Sequence, residues 1–157
     1  MIREAILSDL DCLEQLLHAN HLRAEGILED QTRYWVACKD SAIIGAIGVE
    51  LGTECALLRS AVVVPTERGR GVGRRLTEHA LDWAWQNGYR TVYCFSTDAR
   101  SYWAARGFEE CPVEEVVGEL PHAPQVRLFE ALGWLPTEIA LRKVCDGSIS
   151  EPCRPPV

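Results

Sequence analysis

Val62-Val63-Val64-Pro65-Thr66-Glu67-Arg68-Gly69-Arg70-Gly71-Val72-Gly73-Arg74-Arg75 is an apolar run that breaks at a proline. It then passes three alternating glycines set among four arginines and opens a helical pattern. Behind it, Ala56 to Val64 reads as a strand. Ahead of it, Val72, Leu76, Ala80, Trp83 and Ala84 fall on one stripe of a helix from Gly71 to Asn87, with Gly88 as its stop. A helix start leaves backbone N–H groups without partners and carries a partial positive charge. Glycines let that backbone approach a ligand closely. The strand–turn–helix is therefore a cradle suited to a pyrophosphate; the plain alternative is a tight turn with a solvated basic face. Two other phosphate loops fit poorly. A P-loop needs Lys and then Ser or Thr after its last glycine, where this chain has Arg74-Arg75. The spacing GxGxG, followed by Arg74, is not the GxGxxG of a dinucleotide fold.

Outward from this turn, Asp11 to His21 has helical spacing, with Ser8 or Asp9 as its cap. Residues 22–33 read as a loop or a short helix. Tyr34 to Cys38 and Ala42 to Val49 read as two strands joined by Lys39-Asp40-Ser41. Thr91 to Phe95 is a further strand, and Ala99 to Arg106 a short helix closed by Gly107. Gln125 to Leu132 predicts a helix and residues 136–144 a closing strand. The pattern predicts one α/β domain over residues 1–145, a mixed sheet flanked by helices, and a frayed tail over 146–157.

Of the 157 residues, 47% are apolar and 25% charged, which fits a soluble globular domain. The formal net charge is −7, an argument against nucleic acid as partner. No apolar run is long enough for a membrane helix, and the opening Met1-Ile2-Arg3-Glu4 does not begin a secretory signal. Seven cysteines, odd in number and without a CxxC pair, predict reduced thiols in a cytoplasm. His18 and His21 share a helical turn but lack a third ligand at metal-site spacing, so no metal is expected.

Arg68-x-x-Gly71-x-Gly73, after an apolar strand and opening an amphipathic helix, resembles the acetyl-CoA signature of the GNAT N-acetyltransferase superfamily. Ala99 and Gly107-Phe108 match that family's second segment. The resemblance implies a mostly antiparallel sheet that splays beside the strand ending at Val64. It implies acetyl-CoA as co-substrate, a direct attack by an amine, and in many relatives a homodimer. Carried over by position, Val62, Val63 and Val64 line the pantetheine arm, with backbone groups of Val62 and Val64 paired to it. Gly69, Arg70, Gly71, Val72, Gly73 and Arg74 hold the diphosphate, with Arg68 at its edge. An N–H near Val62 receives the oxyanion. Ala24 to Asp30, Ile47 to Glu50, Ala56 to Ser60 and an aromatic residue at 103 look similar to the small acetyltransferases of arsenic-resistance operons.

This chain departs from the family where many relatives place Asn and Tyr, which here are Ser96 and Trp103. Tyr102 is one position away, and one helical step rotates a side chain by about 100°. Tyr102 and Ser96 are thus the candidates near the leaving thiol. Glu50, at a strand end, is the candidate base; a solvent-facing carboxylate is the alternative. Arg59 suits a substrate carboxylate, or an ion pair with Glu50. Glu25 and Trp103 are candidate substrate contacts. The acceptor expected is a small-molecule amine, an amino acid or a toxic amine. The missing Tyr at 103 leaves a second reading open, a non-catalytic acyl-CoA sensor.

Overall fold

The computed structural model describes residues 1–96 and 98–146. The expected frayed tail lies, apart from Asp146, outside the described residues. Strands β1 (Ile2–Glu4), β2 (Thr32–Lys39), β3 (Ala42–Leu51), β4 (Cys55–Val63), β5 (Thr91–Phe95), β6 (Glu109–Cys111) and β7 (Ala140–Val144) form one sheet. Its order is β1-β2-β3-β4-β5-β7-β6. Every neighbouring pair is antiparallel except β4–β5. That parallel pair needs a crossover, which α2 (Val72–Gln86) supplies.

The β2–β3 hairpin closes on Lys39↔Ala42 with Asp40 and Ser41 both left-handed, at φ 51° and 67°. This backbone twist matches that of the strands it joins. Alternation along the strands then sorts side chains to two faces. Trp35, Ile47, Val49, Ala56 and Leu58 pack on one face against Leu76, Ala80 and Ala84 of α2, with Trp103 of α3 (Arg100–Ala104) in the same cluster. On the other face, Tyr34, Val36, Ala46 and Val62 meet α1 (Leu10–Ala19). Further along that face, Leu57, Tyr93 and Ala140 lie under α4 (Val113–Glu119) and α5 (Pro124–Ala131). No helix among the described residues is long and apolar enough to cross a membrane.

Several expectations need correction. The closing strand starts at Ala140 rather than 136, because Pro136 lies in a 3₁₀ turn over Leu135–Thr137. Asp9 precedes α1, but its carboxylate holds Arg3 at 2.8 Å and the Ile6 amide at 2.8 Å instead of capping the helix. Cys12, Cys38, Cys55, Cys94 and Cys111 are free thiols, whereas Cys145 is disulfide-bonded.

Gly48 of β3 faces the ring of the fully buried Tyr34, and a Cβ at Gly48 would lie 2.5 Å from Tyr34 Cζ. Gly48→Ala is expected to cost about 1–3 kcal/mol of stability by overpacking, read from urea unfolding. A loss below about 0.5 kcal/mol would contradict this contact.

Candidate active site

Strands β4 and β5 pair from Cys55↔Thr91 to Leu58↔Cys94, and there the pairing ends. Strand β4 continues alongside β3, with Ala46↔Val62 and Gly45↔Val63. The register slips between these pairs and Gly48↔Arg59, and Ser60 sits left-handed at φ 58°. This is a one-residue bulge. A cleft of about 510 Å³ occupies the opened seam, with Arg59, Val63, Cys94, Ser96, Tyr102 and Phe129 among its walls.

The glycine turn stands at one end of this cleft. Gly69 and Gly71 are left-handed, at φ 80° and 81°, and α2 starts directly after Gly71. A Cβ on Gly69 would meet nothing within 4 Å, so the glycine is needed there for its backbone angle. A Cβ on Gly73 would meet only Tyr102 Oη at 3.5 Å and Val63 Cγ2 at 3.6 Å. Folding leaves this turn open, and the start of a 15-residue helix backs it. A diphosphate fits that cradle. Arg70 and Arg74 are solvent-exposed and make only long ion pairs, to Glu67 at 3.7 Å and Glu78 at 3.6 Å.

Two backbone expectations change. Val64 N–H donates to Ile44 O of β3 at 2.8 Å, and Val62 is registered with Ala46. By strand alternation, Val62 and Val64 turn their amides toward β3, and Val63 turns its own to the open seam. The backbone available to a pantetheine arm is therefore that of Val63, not Val62 and Val64. Arg68 also differs: its Nε donates to Val63 O at 2.9 Å and its Nη2 to Asn20 Oδ1 at 2.7 Å. It ties the end of α1 to the carbonyl on the seam.

At the other end, Glu50 is fully buried and is not among the cleft walls. Its carboxylate accepts from Arg59 Nη1 at 2.7 Å and from the Gln125 amide at 3.0 and 3.1 Å. Burial pushes the Glu50 carboxyl above its ordinary range, against the pull of Arg59 and the Gln125 amide. Arg59 also donates to Ser60 Oγ and to Arg23 O, each at 3.3 Å. Three bonds from three nitrogens leave further guanidinium N–H donors. Glu25 pairs with Arg23 and lies in a separate hollow beside α5.

Trp103 is buried but reaches the cleft, as does Tyr102. Arg106 stacks 3.5 Å above the Tyr102 ring and donates to Tyr102 O at 2.8 Å. The Tyr102 hydroxyl thereby points at the first turns of α2, 3.5 Å from Thr77 Oγ1. Ser96 Oγ accepts the Ala99 amide at 3.1 Å, bracing the entry to α3. Asp98 and Glu138 also line the cleft, and neither was singled out in the sequence. Burial and the charge of Asp98 push the Glu138 carboxyl up. Phe95 and Phe129 pack at 5.5 Å on the same wall, and Trp134 follows at 5.2 Å from Phe129.

The acetyltransferase (GNAT) family model matches residues 3–108. No curated protein matches the chain. Among solved structures, N-acetylglutamate synthase from Neisseria gonorrhoeae, complexed with coenzyme A and N-acetyl-glutamate, superposes with TM-score 0.73 at 19% identity. That match covers 92% of this chain and 34% of the synthase, so the chain spans about a third of that protein. A Mycobacterium tuberculosis protein in complex with CoA gives 0.71 at 17%, covering 92% and 99%. Tetrahymena GCN5 gives 0.71 at 14%, covering 96% and 99%. At these identities the likeness is one of fold.

Because the space at Gly73 Cβ is open in the free protein, Gly73→Val is expected to fold. Its γ-methyls would stand in the diphosphate's approach and weaken acetyl-CoA at least tenfold, about 1.4 kcal/mol. Calorimetry showing unchanged affinity in the folded variant would contradict the cradle.

Proposed function

The chain belongs to the acetyltransferase (GNAT) family, and we propose that it is an acetyl-CoA-dependent N-acetyltransferase whose acceptor is a free amino acid or a close analogue of one. The amine attacks the thioester directly while both substrates are bound. The observation that carries the acceptor class is the charge layout of one cleft. Arg59 stands on the β4 wall, and Asp98 and Glu138 stand on the rim formed by the β5–α3 turn and the approach to β7. A zwitterion matches both: its carboxylate takes the remaining Arg59 donors, and its ammonium lies toward the acids. Phe95 and Phe129 give an apolar side chain a surface. The neighbour bound to N-acetyl-glutamate is an example of an acyl amino acid held by this fold.

In this reading Glu50 positions rather than reacts, because both its oxygens are engaged by Arg59 and Gln125. The Val63 backbone pairs with the pantetheine arm once Arg68 releases its carbonyl. Tyr102 meets the coenzyme beside α2. The departing sulfur can leave as thiolate without an obligatory acid, so Trp103 in place of Tyr is compatible with turnover. The sequence likeness to arsenic-resistance acetyltransferases adds toxic amino-acid analogues to the acceptors, with acetylation as their detoxification.

Thiol release from acetyl-CoA, measured over amino acids and their decarboxylated amines, tests this. The best amino acid is expected to exceed its own decarboxylated amine by about 100-fold in kcat/KM, since two charge-assisted hydrogen bonds are at stake. Equal or better rates without the carboxylate would contradict the acceptor class.

A further inference from the structure

An acceptor amine arrives protonated and must lose a proton before it attacks. The groups that could take it are few. Glu50 is sealed behind Arg59. Cys94 lines the cleft, but burial drives its thiol far above the usual range. Arg59 and Arg68 are cations, and Tyr102 turns its hydroxyl to α2. Asp98 and Glu138 remain, and they differ in setting: Asp98 is exposed, Glu138 half-buried.

Glu138 is also fixed in place. Its N–H donates to Leu135 O at 3.2 Å, closing the 3₁₀ turn. The next residue, Ile139, accepts the Ser96 amide on its carbonyl at 2.9 Å. This pins residue 138 to the end of β5, where the seam opens. No cation pairs with its carboxylate among the ion pairs of the described residues.

We propose that Glu138 is the general base of the transfer, with Asp98 beside it drawing the ammonium into the cleft. The inference rests on the transferase reading above. The ammonium gives one proton to the Glu138 carboxylate, which passes it to water. The freed nitrogen lone pair forms the C–N bond to the acetyl carbon, and the C–S electron pair leaves on sulfur. The second nitrogen proton ends on that thiolate, giving CoA thiol and the N-acetyl product. The raised Glu138 carboxyl suits this work, because a base is most effective when its pKa nears the working pH. The other charged or titratable groups on the cleft are Arg59, Arg68, Cys94, Asp98 and Tyr102.

The test is the pH profile of kcat/KM for the best acceptor in the wild type, Glu138→Gln, Glu138→Asp and Asp98→Asn. Loss of a general base typically costs about 10²–10⁴-fold. Glu138→Gln is expected to lose about 100-fold at pH 7, with KM for acetyl-CoA within about twofold. It should lose the acid limb seen in the wild type and recover as rising pH frees the amine. Glu138→Asp should keep the acid limb, and Asp98→Asn should raise acceptor KM with little change in kcat. A Glu138→Gln profile that retains the acid limb and the rate would overturn the inference while leaving the transferase reading intact. Equal losses in rate and acetyl-CoA affinity would overturn it too, as a structural effect. A wild type that releases thiol with no amine would remove both readings.

Discussion

After Leu58, β4 keeps its bonds to β3 and gives up those to β5, and the rest of the molecule is arranged around that parting. An unpaired backbone edge inside a sheet is costly unless water or a ligand satisfies it. Here the bulge at Ser60 enforces the parting. Leu58 and Val63 both lie on the α2 face although they are five residues apart, which strict alternation forbids and one inserted residue explains. A left-handed serine costs about 1–2 kcal/mol, and the Tyr34–Ser60 hydroxyl contact at 2.9 Å holds it there. What results is an open seam with backbone amides at its edge.

The far wall of that seam depends on a second constraint. Glu50 on β3, Arg59 on β4 and the first turn of α5 meet in one buried knot, and Gln125 adds a side-chain bond to Leu58 O at 3.3 Å. Burying an ion pair is near break-even for stability, but breaking one half of it costs several kcal/mol. The knot thus matters less for how stable the fold is than for where α5 and Phe129 stand. It also holds Arg59 in the cleft wall, where guanidinium N–H donors remain beyond those bonded to Glu50, Ser60 and Arg23.

The sequence made the glycine turn legible and the far end of the cleft hard to read, for physical reasons. The turn from Arg68 to Gly73 is local: its glycines, its arginines and the helix after it are contiguous, so the turn and the helix start could be read from spacing. The hairpin at Asp40-Ser41 and the helix from Val72 were legible in the same way. Strands of three residues, Ile2–Glu4 and Glu109–Cys111, are too short to show a period, and both form only because β2 and β7 offer an edge. The bulge that makes Val63 the seam-facing residue depends on pairing with β3 and leaves no mark in Arg59-Ser60-Ala61. Glu50 looked like a base because the strand that carries it was expected to end at the cleft. The Gln125 amide that seals it comes from 75 residues away, and a backbone N–H carries no residue-type signal. Glu138 fell inside an expected strand, and only the 3₁₀ turn before it brings it to the rim.

The most direct measurement is backbone amide NMR of the isotopically labelled protein as CoA is added. Binding along the seam and in the glycine turn predicts the largest shifts at the Gly69 to Arg74 amides and at Val63, with the Val62 and Val64 amides, bonded toward β3, moving less. Binding that left Gly69 to Arg74 unmoved while shifting amides elsewhere would show that the coenzyme does not use this turn, and the account would be wrong at its base.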